Sequence, residues 1–263
     1  MKIEQTFREA LRILVKIWPY VLPHLALSLV SLVLSQQADD FLLLCLMLPI
    51  TLIIYLFGIL LLRVMFYALD DKDLQFSKVI EGLMPAAWRI LAFSFGSSIA
   101  FGVLFSVIAS FAILFVLIVP TLIPALHIAI IVVSLAAVAI TVITLLLLLG
   151  MYSPLVMGAI VDRNQGLRNA VREAHTLLKA NWKKLLGWVL ILTVPNSLIA
   201  MLLGAFGQQS TDMALSATLI YITGYLAVTV LGLFLQSSWA IIYRQLSQPD
   251  TTTKARHGRV SST

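Results

Sequence analysis

Charge is scarce in this chain. Asp, Glu, Lys and Arg make up 11% of its 263 residues, where a soluble domain carries roughly a quarter. A water-facing surface cannot be built from so little charge, which excludes a soluble enzyme or binding module. The long apolar stretches contain no Asp or Glu at all. Ionisable groups at membrane depth mark ion paths and proton relays, so their absence argues against ion-coupled transport. Cysteine is reduced to Cys45. A single cysteine excludes an intrachain disulfide or a cysteine metal cluster, and its place in an apolar run predicts a buried, inert thiol. No His/Cys/carboxylate cluster, Gly-rich phosphate loop or Gly-x-Ser-x-Gly turn occurs. The chain is therefore expected to be non-enzymatic, with no catalytic residues, no cofactor and no metal. His24 and His127 are isolated near the ends of apolar runs and read as interfacial residues. His175 falls on the polar side of a helix and His257 in the tail. A cleavable leader is not expected either. The segment before the first apolar run mixes acids with bases, and Ser35-Gln36-Gln37-Ala38-Asp39-Asp40 lacks a cleavage-site pattern.

What is abundant is apolar sequence: 60% of the residues are hydrophobic. Runs of 18 or more recur, long enough to cross a hydrocarbon core of about 30 Å. The 18 Lys and Arg residues fall in four clusters, Lys2 to Lys16, Arg63 to Arg89, Arg163 to Lys184 and Arg244 to Arg259. The polar breaks between them carry only Asp39, Asp40 and Asp212. Cytoplasmic loops collect Lys and Arg, so the alternation predicts a multi-pass membrane protein with both termini cytoplasmic. The net charge of +6 then reads as topology and contact with anionic lipid headgroups, and no nucleic-acid partner is expected. Six spans fit, at about 18–35, 41–66, 89–118, 126–160, 183–206 and 213–243. The 72 residues between Arg89 and Asp162 lack charge and have room for two long spans or three short ones. Two keep every basic cluster on one side. The break between them is expected at Pro120 to Pro124. The fourth span is too long for a plain crossing, which predicts a tilt, or a bend near Gly150 and Pro154.

Three segments have the helical spacing of amphipathic helices. The first covers about 3–17, with Ile3, Phe7, Ala10, Leu11 and Leu14 on one face and Arg8, Arg12 and Lys16 opposite. A second, about 74–87, has Asp73 as its expected N-cap and a third, about 165–181, has Asn164. Each runs into a tryptophan: Trp18, Trp88 and Trp182, residues suited to anchoring at the membrane interface. Arg8-Glu9-Ala10 recurs as Arg172-Glu173-Ala174, Leu14 as Leu178 and Trp18 as Trp182. The predicted architecture is therefore an all-α membrane protein. It has six transmembrane helices and three cytoplasmic interfacial helices, in a threefold repeat of one interfacial helix and two spans. Bracing of the spans is one role for such helices. The other is contact with anionic headgroups, through Arg8, Arg12, Lys16, Arg168, Arg172, Lys179, Lys183 and Lys184.

Two features lie within the apolar segments. Val194-Pro195-Asn196-Ser197 interrupts the fifth span. It is a tolerated kink or, in the sharper reading, a broken-helix site at Pro195, Asn196 and Ser197. Ser94, Gly96, Ser98, Ala100 and Gly102 are expected to pack against another helix, and Gly204 and Gly207 suggest a turn or close approach. Residues 1–246 form a single polytopic domain, and 247–263 a polar tail expected to be disordered.

The stretch Pro154 to Trp182 has a pattern of its own: a span carrying Pro, then Val161-Asp162-Arg163-Asn164-Gln165-Gly166, then an amphipathic helix closing on Asn181-Trp182. With Val119-Pro120, it resembles the YciC-type bacterial inner-membrane proteins, which are similar to the membrane domain attached to some glycerophosphodiester phosphodiesterases. The resemblance implies a six-span protein of the bacterial inner membrane with no assigned molecular activity. The expected function is bilayer engagement, in membrane organisation or envelope homeostasis. The alternatives are a permease for a small or lipidic solute and a scaffold subunit of a membrane complex.

Overall fold

Every segment in the computed structural model is helical or a short turn; it describes residues 3–35, 41–70, 76–122, 127–208 and 215–248. The acidic breaks at Asp39, Asp40 and Asp212, the expected cap Asp73, Pro124 and the tail from Pro249 lie outside these residues. Helix α1 (Ile3–Lys16) has Glu4 in its first turn and Lys16 in its last, which suits the helix dipole. It buries Thr6, Ala10, Ile13 and Leu14, and the chain turns by 80° into α2 (Trp18–Ser35). There follow α3 (Phe41–Leu69), the single turn and a half of α4 (Phe76–Ile80), α5 (Leu83–Leu122) and α6 (His127–Arg163). Helix α7 (Leu167–Trp188) continues through a π-helical turn, Val189–Thr193, into α8 (Val194–Gln208), and α9 (Leu215–Ser247) closes the described chain. Five of these segments are long and apolar enough to cross a membrane, or six if the bent pair α1 and α2 counts as one.

The core sits at one end of the bundle. Most of its fully buried large side chains come from the second halves of α3 (Leu61, Val64, Met65), α6 (Leu155, Ile160) and α9 (Ile241, Ile242, Tyr243), joined by Ile17, Val21, Ile90 and Leu185. All three helices end on the same face, and α1 packs across α9 and α3 there. Phe7 of α1 meets Trp188 and Phe234 at ring-centroid distances of 6.1 and 5.5 Å. Three of the basic clusters are joined at this end. The Arg89 guanidinium donates to the Asn164 amide oxygen at 2.7 Å, and Arg163 donates to the Ser247 carbonyl at 2.9 Å. Away from this end the bundle is thin. Helix α5, at 40 residues, is about 60 Å long at roughly 1.5 Å per residue, and its middle is exposed.

Several expectations are corrected. The helix expected over 74–87 is broken: α4 stops at Ile80, and Gly82 takes a φ of 75° before α5 starts. Trp88 consequently lies inside α5 instead of at a helix junction. Asn164 does not cap α7, whose N-cap is Gly166 without a side-chain bond. With a φ of 49°, Asn164 takes the left-handed conformation that ends α6. Gly96, Ser98, Ala100 and Gly102 do not pack on a neighbour; a Cβ at Gly96 or Gly102 would meet nothing within 4 Å. Cys45 is exposed on α3, because the packed core lies at the helix's other end. Gly204 and Gly207 lie within α8 and make no turn. Helix α9 extends to Ser247, one residue into the segment assigned to the tail, and α6 passes through Pro154 as one helix.

Candidate functional site

Proline at 195 cannot donate a backbone hydrogen bond, and its ring crowds the turn before it. The chain absorbs both by widening that turn. Residues Val189–Thr193 are π-helical, and the N–H of Val194 donates to the carbonyl of Val189, five residues back. Such turns are uncommon and concentrate at functional sites. Here the widened turn forms one wall of a cavity of about 1010 Å³, bounded also by α3, α6, α8 and α9. Its walls are mainly apolar, with Ser153, Thr193, Asn196, Ser197 and Gln236 as the polar exceptions. Its lining includes exposed residues of α6 (Ile143, Leu146), of the π-helical turn (Leu190) and of α8 (Leu198, Met201), so the cavity is open between these apolar faces.

Two polar groups in the wall differ in state. The Gln236 amide donates to the carbonyl of Gly58 at 3.3 Å, tying α9 to α3. The Asn196 amide oxygen is buried and, among the described residues, accepts from nothing. A buried acceptor of that kind normally finds a partner, so the cavity offers a hydroxyl or N–H somewhere to bond. Of the residues singled out for a broken-helix site, Asn196 and Ser197 line the cavity; Pro195 is exposed and shapes it from behind.

Beyond Phe66, which lines both spaces, lies a smaller polar pocket of about 510 Å³. It sits where α3, α6 and α9 end. Arg244 is its central cation. It makes a two-pronged bond to Asp70, at 2.7 and 3.1 Å, and a second ion pair to Asp162. Its guanidinium also lies 5.4 Å from the centre of the Phe66 ring. Arg163 pairs with Glu173 at 3.2 Å, and the hydroxyl of fully buried Tyr243 donates to the same carboxylate at 2.9 Å. Cations at helix C-termini are favoured by the helix dipole. Arg244 is held by two carboxylates, and Arg63 is 9% exposed. The sequence signal for this cluster was partial, Asp70, Asp162-Arg163 and Arg244 near the ends of three spans, but only the tertiary fold sets partners 174 and 82 positions apart side by side.

The residues expected at lipid headgroups do not converge on either space. Arg8, Arg12, Lys16, Arg168, Arg172, Lys179, Lys183 and Lys184 are exposed along α1 and α7. Arg8 pairs with Glu4 one turn away at 2.5 Å, and the Lys183 ammonium sits 5.6 Å from the Trp182 ring centre. Trp18, Trp88 and Trp182 are exposed as well. Trp182 follows a kink at Asn181, where φ is −130° and ψ is 18°. Composition and spacing pointed to neither Gln236, Trp239, Gly158 nor Phe66, because each becomes part of the site only through its neighbours on other helices. Among the described residues no three His, Cys, Asp or Glu side chains are placed to hold a metal ion. No family model, curated protein or solved structure matches the chain.

Proposed function

We propose that the chain is a non-enzymatic, multi-pass membrane protein that engages the bilayer by admitting the apolar part of a lipid into the cavity beside the π-helical turn. The observation that carries this reading is the cavity itself, about 1010 Å³, apolar and open between exposed faces of α6 and α8. Pockets for small ligands run to roughly 300–1,000 Å³, apolar with a few placed polar groups. In a membrane the species bordering such a mouth is lipid. The unsatisfied Asn196 oxygen supplies the polar contact that orients an occupant.

Around this site the proposal keeps a bacterial inner-membrane location, with cytoplasmic termini and the YciC-like layout suggested by Pro154 to Trp182. The basic faces of α1 and α7 contact anionic headgroups, with Trp18, Trp88 and Trp182 at the interface. The helix leading each pair of spans is the repeating unit, shortened in the second copy to α4. A lateral mouth also favours one alternative over the others, a permease for a lipidic solute, since loading from the bilayer is its first step.

Gly232 allows a direct test. It lines the cavity, and a Cβ built there meets nothing within 4 Å, so Gly232→Leu fills space without a clash. In nanodiscs, a phospholipid with a photoactivatable group on its acyl chain should label residues of α6, α8 and α9 around the cavity. Gly232→Leu should remove most of that labelling while leaving the exposed face of α5 labelled as before. Labelling that is uniform over all apolar faces and indifferent to the substitution would refute the reading.

A further inference from the structure

We infer that Arg63 is the receptor for a lipid phosphate, so that the polar pocket takes the headgroup of a phospholipid whose chains occupy the apolar cavity. This rests on the proposed cavity reading and names the class of lipid. Arg63 is nine-tenths buried and lines the polar pocket, yet among the described residues it makes no hydrogen bond or ion pair, and its Nε is buried without an acceptor. Guanidinium stays charged under all conditions proteins meet, and a buried charge is destabilising until it finds a partner. The carboxylates nearby are already engaged: Asp70 and Asp162 hold Arg244, and Glu173 holds Arg163. Of the three arginines lining the pocket, Arg244 and Arg163 are thus matched by carboxylates, and among the described residues Arg63 is the one without such a match.

The position is built and is no accident of a long side chain. Gly82, at a φ of 75°, brings its backbone against the guanidinium: a Cβ at Gly82 would lie 3.1 Å from one terminal nitrogen of Arg63. The planar fork of a guanidinium matches phosphate oxygens two at a time. Phe66 borders both spaces, so a phosphate at Arg63 lies one side chain away from the apolar cavity.

Thermal unfolding of the detergent-purified chain tests this with three probes: dioleoylphosphatidylglycerol, dioleoylglycerol and inorganic phosphate. The phospholipid should stabilise the protein at lower concentration than the diacylglycerol does. Loss of a charge-assisted contact corresponds to about tenfold or more in affinity, so Arg63→Gln should weaken the phospholipid by that factor and leave the diacylglycerol unchanged. Arg63→Lys, which keeps the charge and loses the fork, should fall between. Without lipid, Arg63→Gln should unfold no earlier than the parent, since an unpaired buried charge has been removed. Earlier unfolding would instead assign Arg63 a structural role and overturn the inference. An unchanged preference for phospholipid in Arg63→Gln would overturn it too. So would inorganic phosphate binding at Arg63 in place of the lipid, which would make the pocket a site for a soluble anion. Gly232→Leu separates the two readings, because it should weaken both lipids alike. If it does so while Arg63→Gln changes nothing, the cavity reading stands and the Arg63 assignment falls.

Discussion

Gly158 leaves room for the Tyr243 ring in the core. A Cβ at 158 would lie 2.6 Å from the Tyr243 ring, on a side chain that is wholly buried. The ring has nowhere to retreat: Phe66 meets it edge-on at 6.0 Å, and its hydroxyl is held by Glu173. Gly158→Ala should therefore destabilise the protein by about 1–3 kcal/mol, the usual range for overpacking. It should show as a lowered thermal midpoint, and an unchanged midpoint would contradict the packing described. Nothing in the sequence marks Gly158 apart from Gly150 or Gly166, since its role is set by a ring 85 positions away. Arg244 and Arg63 make the same point with charge. Both were visible as arginines near span ends, but among the described residues one is paired twice and the other not at all, a distinction only proximity can make.

Helices were the most legible part of the chain, because long apolar runs leave the backbone no other way to satisfy its hydrogen bonds in lipid. Their interruptions were less so. Pro195 was readable as a break, and the cavity beside it was not, since its other walls come from α3, α6 and α9. Replacing Pro195 with Ala restores a donor and lets the π-helical turn tighten. The ligand-free protein should gain about 1 kcal/mol, the typical net value of one hydrogen bond, while stabilisation by added lipid shrinks as the wall of the cavity straightens. Unfolding curves with and without phospholipid check both halves, and an undiminished lipid response would show that the break does not shape the site. The shortened α4 escaped the periodicity because Val79, Leu83 and Met84 keep helical spacing across the left-handed Gly82.

For the whole molecule, segregation of charge was decisive. The fold brings Arg63, Arg89, Arg163 and Arg244 to one end, and α1 and α7 carry their exposed basic faces beside it. Each basic group near an anionic membrane surface contributes about 1 kcal/mol. Neutralising Arg168, Arg172, Lys179, Lys183 and Lys184 together should therefore reduce the retention of anionic over zwitterionic lipid around the purified protein. Lipid counting by native mass spectrometry reads this directly, and equal retention would remove the headgroup role from α7. By itself the sequence determined helical structure and the apolar segments, and its charge segregation marked the helix ends that carry basic residues. These follow from hydrophobicity and charge, which act position by position along the chain. Only the tertiary structure decided that the helix ends at 69, 163 and 247 meet, that Arg63 is left without a partner, and that a space opens beside Pro195. Contact between distant residues depends on packing geometry, and apolar segments of similar composition do not specify which faces meet.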